Sequence, residues 1–214
     1  MSSNASRRIK PGKIIIISSP SGGGKTTITR ELLRRHKRDG WRFSISVTTR
    51  PRRRGAGNDR EGRDYFFRSA AEFAEMRRRG EFAESCRVHK HSYGTPRGPL
   101  DETVRKGGVI LLDVDVKGAF KIKRAYPQAA SIFILPPSRA ALRQRLKARG
   151  TETPAQLKVR RERSVAEMQL YERFDYTVIN DRLKEAIDLV DYIILSLHTR
   201  KKNLNRERIS RITG

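Results

Sequence analysis

Short apolar runs alternate with amphipathic segments along most of the chain. Such runs lie at 14–17, Val109–Asp113, 132–135 and Tyr176–Ile179, each closed or followed by Ser, Pro, Asp or Asn. Continuous apolar runs of this length are typical of strands that are buried on both faces. The pattern therefore predicts at least four strands of a parallel sheet.

Helical periodicity fills the segments between these runs. Ile28 and Leu32 lie on one face of a segment that follows the first run, and further helices are predicted over 138–149, from about Pro154, and over 183–197. Strands that alternate with helices of about 10–15 residues predict right-handed crossovers around a parallel sheet. The expected fold class is α/β, with a parallel sheet flanked by helices.

The pattern changes between residues 41 and 95. There Phe43, Ile45 and Val47 alternate with polar residues, and an Arg/Gly-rich loop follows. Alternation predicts half-buried strands, so we expect a small β-rich subdomain inserted into the core. The predicted layout is a basic leader expected to be disordered (1–11), one domain (12–198, with its core at 12–40 and 96–198), the inserted subdomain (41–95) and a basic tail (199–214).

Composition excludes several classes of protein. No run approaches the roughly 18 apolar residues that a membrane span needs, and the single cysteine, Cys86, rules out a disulfide framework or a multi-cysteine metal site. We expect Cys86 to be a small packed residue, and the histidines show no ligand spacing. These observations favour a protein of the cytoplasm with no membrane contact.

The net charge of +25, from 48 Lys and Arg against 23 Asp and Glu, suits an anionic partner or phosphorylated substrates. Much of this charge is scattered along predicted helices, where solvated arginine faces are its ordinary explanation. No aromatic stacking array accompanies it. Nucleic-acid binding is therefore expected only as non-specific contact by the basic tail.

A glycine-rich turn follows the first predicted strand and precedes the first predicted helix. Its sequence nearly satisfies the phosphate-loop pattern G-x-x-x-x-G-K-[ST], with Ser19 in place of the first glycine. Glycines allow backbone N–H groups to surround phosphate oxygens, Lys25 can reach the β- and γ-phosphates, and the Thr26 hydroxyl can bind Mg²⁺. The residues predicted to bind ATP here are Ser19, Pro20, Ser21, Gly22, Gly23, Gly24, Lys25, Thr26 and Thr27.

A second phosphate site is predicted after this loop, because Arg50, Arg53 and the Tyr65 hydroxyl could hold a nucleoside monophosphate through fork-like contacts. The surrounding motifs resemble those of guanylate kinases over nearly the whole chain, from about residue 12 to about residue 197. The matching elements are S-x-S-x-T-T-R ending at Arg50, G-x-D-Y ending at Tyr65, F-x-E ending at Glu84, Y-G-T from Tyr93 to Thr95, L-D-V-D from Leu112 to Asp115, the segment from Arg145 to Thr153, and D-Y-x-x-x-N-D from Asp175 to Asp181.

The resemblance implies a phosphate-loop kinase core, a GMP-binding subdomain and a helical lid at about 145–163. It implies that Glu84 accepts the two N–H donors of guanine, helped by Ser46, Thr95 and Asp115, and that Tyr93 joins the phosphate-binding residues. It also implies that Asp113 lies near Mg²⁺ and beside the acceptor GMP, and that Asn180 lies near the adenine of ATP. The residues with an implied catalytic role are Lys25, Arg50, Arg53, Arg145, Arg149 and Arg160.

Each of these residues also has an ordinary structural interpretation. Asp113 and Asp115 could simply cap a strand, and Glu84 could be a solvated acid in a loop. Tyr65 and Tyr93 could be ordinary half-buried core residues. Arg145 and Arg149 lie four residues apart on the predicted helix 138–149, so at least one of them is expected as a surface residue.

The chain departs from the family pattern in the loop after Arg53. The family usually has Arg-x-Gly-Glu there, whereas this chain has Ala56 and a loop about three residues longer. Glu61 is a candidate to replace the missing carboxylate, and the alternative is that nothing replaces it. This departure concerns GMP affinity.

The resulting hypothesis is an enzyme that transfers the γ-phosphoryl group of Mg²⁺-bound ATP to GMP, with a role in purine nucleotide metabolism and GMP recycling. The alternatives are a kinase of another small phosphorylated acceptor and an inactive guanylate kinase-like binding module. The presence of Lys25, Thr26, Arg149 and Arg160 argues against the inactive module. The oligomeric state is left as a monomer or a homodimer.

Overall fold

The computed structural model describes residues 12–53, 59–88, 90–147 and 154–197, without the side chains of Val88 and of 154–158. The predicted leader, the predicted tail, Ala56 and Arg149 lie outside the described residues. Within the described ranges, the strands are β1 (Lys13–Ser18), β2 (Arg42–Phe43), β3 (Val47–Thr48), β4 (Phe66–Phe67), β5 (Phe82–Val88), β6 (His91–Pro96), β7 (Val109–Asp113), β8 (Ala130–Leu135) and β9 (Tyr176–Ile179). The helices are α1 (Lys25–Arg35), α2 (Ala70–Arg78), α3 (Arg97–Lys106), α4 (Val116–Ala125), α5 (Arg139–Lys147), α6 (Pro154–Met168) and α7 (Leu183–Ser196), with a 3-10 turn at Tyr171–Arg173.

The larger sheet has five strands in the order β2-β7-β1-β8-β9, and all its pairs are parallel. The predicted α/β class with a parallel sheet flanked by helices is confirmed. Both faces of β1 are buried, as its continuous apolar run requires. Ile15 and Ile17 pack in one cluster with Ile28 and Leu32 of α1, whereas Ile16 packs in the cluster on the opposite face.

The smaller sheet has the order β4-β3-β6-β5 and is mixed. Helix α2 covers it, with Phe73 stacked on Phe82 at a centroid distance of 4.6 Å. Ser69 begins α2 with a capping box, in which Glu72 donates its backbone N–H to the serine hydroxyl and accepts the serine N–H. A small hydrophobic cluster of Val47, Phe73 and Phe82 packs α2 against β3 and β5.

The alternation at 43–47 belongs to two sheets. Phe43 in β2 pairs with Leu111 of β7 in the larger sheet, whereas Val47 in β3 pairs with Gly94 of β6 in the smaller one. Phe43 is the last residue of β2, and the next residue, Ser44, still donates its backbone N–H to the Leu111 carbonyl at 2.9 Å. The chain then crosses to the smaller sheet. The smaller sheet therefore begins later than the position at which the sequence pattern changes.

The last helix packs by the face that its periodicity predicts. Val190 and Ile194 are fully buried against the cluster that contains Leu32, while Leu189 on the same helix is 50% exposed. None of the described helices is both long and apolar enough to span a bilayer.

Replacing Leu32 by Ala should lower the free energy of unfolding by about 2–5 kcal/mol, because it removes a fully buried side chain between α1 and α7. The matched control, Leu189→Ala on the exposed side of α7, should change it by less than about 0.5 kcal/mol. Urea denaturation followed by circular dichroism measures both. Equal destabilisation by the two substitutions would contradict this description of the core.

Candidate active site

The glycine-rich loop connects the end of β1 to the start of α1. Gly24 has a φ of 100°, which is the left-handed region, and a Cβ there would lie 2.3 Å from Nδ2 of Asn180. A Cβ on Gly23 would lie 2.6 Å from the Cβ of Ser19. The loop thus brings its backbone close to two side chains, directly before the positive end of the α1 helix dipole, which favours anions.

Two residues at the start of α1 meet the end of β7. The Thr26 hydroxyl donates to Oδ2 of Asp113 at 2.6 Å, and the Lys25 ammonium lies 3.6 Å from its Oδ1. The register that pairs Ile17 with Asp113 places this carboxylate beside the glycine-rich loop. A hydroxyl and a carboxylate are hard oxygen donors of the kind that Mg²⁺ prefers in nucleotide-binding proteins.

A cavity of about 930 Å³ extends from the start of α1 to the smaller sheet. Of the residues singled out from the sequence, those on its wall are Lys25, Thr26, Ser46, Tyr65, Glu84, Tyr93, Asp113 and Asp115. One cavity therefore joins the predicted phosphate loop to the predicted acceptor site.

Glu84 is buried rather than solvated, with 8% of its surface exposed. The Thr95 hydroxyl, opposite it in the β5–β6 pair, donates to its Oε1 at 3.0 Å. Within the described residues its Oε2 is buried without a hydrogen-bond partner. Burial raises the pKa of this carboxyl, with the nearby Asp115 carboxylate acting in the same direction.

Asp115 has a structural role and also faces the cavity. Its Oδ1 accepts the backbone N–H of Gly118 at 2.8 Å and so caps α4. Its Oδ2 lies 3.8 Å from the Arg163 guanidinium of α6. The structural and site interpretations of this residue therefore both hold.

Three of the residues that are predicted to bind a phosphate, Arg50, Tyr65 and Tyr93, lie close together. The Arg50 guanidinium lies 5.3 Å from the centroid of the Tyr65 ring, and that ring meets Tyr93 edge-on at 5.9 Å. Desolvation raises the pKa of Tyr65, so its hydroxyl stays protonated and able to donate. Arg53 contacts this group through its backbone, and its own side chain is exposed.

Three of the remaining predicted residues lie against the glycine-rich loop. Asn180 is 3% exposed and donates through Nδ2 to the Gly23 carbonyl at 2.9 Å. Arg145 donates to the Asn180 carbonyl at 2.9 Å, and Arg160 donates through Nε to the Ser21 hydroxyl at 2.8 Å. Helix α6 therefore contacts both the loop, through Arg160, and Asp115 on the cavity wall, through Arg163.

Sequence reasoning missed several side chains at this site, three of which contact or border predicted residues. Asp59 and Cys86 lie on the cavity wall, and Arg163 reaches Asp115. Cys86 shares a face of β5 with Glu84 because the two are two residues apart, a period-2 signal that was available in the sequence. Burial and the two carboxylates nearby raise the pKa of its thiol to about 11.

The chain matches the family model described as Guanylate kinase over residues 11–197. A guanylate kinase of Thermotoga maritima is 40% identical over 200 residues, which cover 94% of each chain. One of Nitrosomonas europaea is 45% identical over 173 residues, covering 81% of this chain and 84% of the relative.

Among solved structures, the crystal structure of guanylate kinase from Anaplasma phagocytophilum superposes with a TM-score of 0.73 at 31% identity, covering 91% of this chain and 90% of that one. The two-sheet architecture and the sequence similarity thus agree over most of the length. This chain, a nucleotide-using kinase, belongs to the guanylate kinase family.

Proposed function

We propose that this kinase transfers the γ-phosphoryl group of ATP directly to GMP, giving ADP and GDP. The observation that supports it best is the buried Glu84 carboxylate, whose Oε2 has no partner among the described residues and which lies on the wall of the cavity that begins at Lys25. A buried acceptor without a donor carries a desolvation cost that a ligand with N–H donors removes.

Guanine carries two adjacent donors, N1–H and N2–H₂, that match a carboxylate. Oε1 already accepts from Thr95 and keeps a second lone pair, while Oε2 is unused. Adenine has no such donor pair, so AMP would leave the carboxylate unsatisfied. Ser46 and Asp115, on the same wall, are proposed to complete the contacts with the base.

The acceptor phosphate is proposed to bind Arg50, Arg53, Tyr65 and Tyr93. The ATP phosphates are proposed to bind the loop from Ser19 to Thr27, with Asn180 close to the base. Thr26 and Asp113 offer a hydroxyl and a carboxylate 2.6 Å apart that fit Mg²⁺. When bound, this ion would supply charge neutralisation on the phosphates of ATP.

The chemistry requires positioning more than proton transfer, because the acceptor phosphate is already a nucleophile. In-line attack on the γ-phosphoryl group spreads negative charge over its oxygens, and fixed cations lower the energy of that arrangement. Lys25, Arg50, Arg145, Arg149 and Arg160 are proposed to supply these cations. The lid at about 145–163 is proposed to exclude water, which would otherwise compete as the acceptor.

The remaining proposals concern context. The chain is proposed to act in the cytoplasm, in purine nucleotide metabolism and GMP recycling, as a monomer or a homodimer. Its predicted division into a core, a GMP-binding subdomain at 41–95 and a lid serves this reaction.

The proposal is tested by coupling ADP release to a spectrophotometric assay, with ATP, Mg²⁺ and GMP, AMP, CMP or UMP offered separately at fixed salt. We expect turnover with GMP and none with the other three. Equal turnover with AMP would contradict the role of Glu84. Binding of ATP without turnover of any of the four would favour a binding module or a kinase of another phosphorylated acceptor.

Replacing Glu84 by Gln should raise KM for GMP by roughly 10²-fold, because the amide offers one acceptor and opposes the guanine donors with its own N–H groups. KM for ATP should stay within about twofold, since Glu84 is not among the residues proposed to bind ATP. Steady-state kinetics with each substrate varied in turn measure both.

The matched control is Glu81→Gln, which makes the same substitution, with the same loss of one negative charge, at a surface acid of the same subdomain that pairs with Arg79. It should leave KM for GMP unchanged. In the wild type, KM for GMP should also rise as the pH falls through the raised pKa of Glu84, because the protonated carboxyl loses an acceptor. A Glu84→Gln enzyme that keeps the wild-type KM for GMP would refute the assignment.

Replacing Arg160 by Ala should lower kcat by about 10³-fold or more, as expected for a cation that acts on the transferring group. Arg161→Ala is the control, because it removes an exposed arginine at the next position of the same helix. Single-turnover measurements separate the chemical step from product release. A rise in KM with an unchanged kcat would instead limit Arg160 to substrate binding.

A further inference from the structure

The Arg50 side chain is largely buried and makes several contacts within the protein. Its side chain is 11% exposed, and its guanidinium lies over the rings of Tyr65 and Phe67 at 5.3 and 5.9 Å. Its Nη1 donates to the Pro51 carbonyl at 3.1 Å. Contacts with ring faces attract the guanidinium but do not by themselves set its rotation.

Asp59 forms an ion pair with one end of this guanidinium. Its Oδ2 lies 2.8 Å from Nη1 of Arg50, and its own side chain is 12% exposed. An ion pair between two poorly solvated groups is screened less than one at the surface, so it restrains both side chains more strongly. The Arg50 guanidinium, together with the backbone N–H of Arg53, keeps the pKa of this carboxyl below its usual range.

Asp59 is itself fixed to the chain around Arg53. Its Oδ2 accepts the Arg53 backbone N–H at 2.7 Å, and its own N–H donates to the Arg53 carbonyl at 3.3 Å. A carboxylate held by side-chain and backbone contacts at once is a fixed support. An arriving phosphate would have to break all of these contacts to displace it.

The guanidinium keeps donors for a ligand. Among the described residues, both contacts of Arg50 with oxygen atoms involve Nη1. Nε and Nη2 are the donors that remain for the oxygens of a phosphate, in the fork geometry that arginine offers. Asp59 lies on the cavity wall beside Tyr65 and Tyr93, so the pair adjoins the space that the acceptor would occupy.

Glu61, the other acid of this loop, does not take this role. Its carboxylate contacts Arg52 at 2.8 Å and Arg68 at 3.0 Å, and it accepts the Phe67 backbone N–H at 3.1 Å. It is absent from the wall of the cavity. The carboxylate that faces Arg50 among the described residues is that of Asp59.

We infer that Asp59 is a positioning residue for the acceptor phosphate: it fixes the rotation of the Arg50 guanidinium so that Nε and Nη2 meet the phosphate of GMP. This inference rests on the proposed function. It assigns to the chain a substrate-affinity determinant in the loop where Ala56 replaces the family's glutamate.

The test compares Asp59→Ala, Asp59→Asn and the control Glu61→Gln in the full chain. Steady-state assays give kcat and KM for GMP and for ATP, and competitive inhibition by guanosine reports the base site without a phosphate. Asp59→Ala should raise KM for GMP about tenfold, with KM for ATP and inhibition by guanosine unchanged. Asp59→Asn should raise KM for GMP less than Asp59→Ala does, because the amide oxygen of Asn can still contact Nη1 of Arg50. In Glu61→Gln, KM for GMP should stay within about twofold of the wild-type value.

Each other result overturns the inference. An unchanged KM for GMP in Asp59→Ala would show that Arg50 needs no support, and a lowered KM would show that the carboxylate competes with the phosphate. If Asp59→Ala weakened inhibition by guanosine as much as it raised KM for GMP, the substitution would have damaged the smaller sheet in general. If the wild-type enzyme did not turn over GMP, the proposed function would be overturned as well. If the wild type were active and Asp59→Ala had the same KM for GMP, only the role of Asp59 would be overturned.

Discussion

The parallel register of β1 and β7 is the constraint on which the site depends. Pairing Ile17 with Asp113 ends both strands at the same edge of the sheet, where Lys25 and Thr26 then meet the Asp113 carboxylate. Open α/β sheets place ligands outside the carboxyl ends of their strands for this reason. A one-residue change of register would turn the Asp113 side chain to the opposite face of the sheet, away from the glycine-rich loop.

Charge compensation is the second organising feature. The chain carries a large excess of cations, yet cations at or beside the cavity pair with carboxylates of its wall, including Lys25 with Asp113, Arg50 with Asp59, and Arg163 with Asp115. Such partly buried pairs contribute modestly to stability, because desolvation offsets their attraction. Their effect is on geometry, since a paired cation has fewer orientations than a solvated one. A reaction that depends on positioned charge benefits from this restriction.

The sequence was most informative where one physical rule decides the outcome. Buried strands such as Val109–Asp113 and the helix that buries Val190 and Ile194 followed from apolar periodicity, and the glycine-rich loop followed from its residue types. The crossing between the sheets after Phe43 could not be predicted, because alternation indicates a half-buried strand but not the sheet to which the strand belongs. The role of Asp59 was also hidden, since Glu61 lies two residues away with the same charge. Only the backbone contacts between Asp59 and Arg53 decide which carboxylate faces Arg50.

Several buried polar atoms that have no hydrogen-bond partner within the described ranges lie at or beside the site. Among the described residues these include Oε2 of Glu84, Oδ1 of Asn180 and Nη1 of Arg145. A fold optimised for stability alone would pair or replace such atoms, because each one carries a desolvation cost. Glu84 lies on the cavity wall, Asn180 donates to the Gly23 carbonyl of the glycine-rich loop, and Arg145 donates to the Asn180 carbonyl. The cost is therefore carried where two nucleotides would relieve it, and binding both of them would stabilise the folded chain.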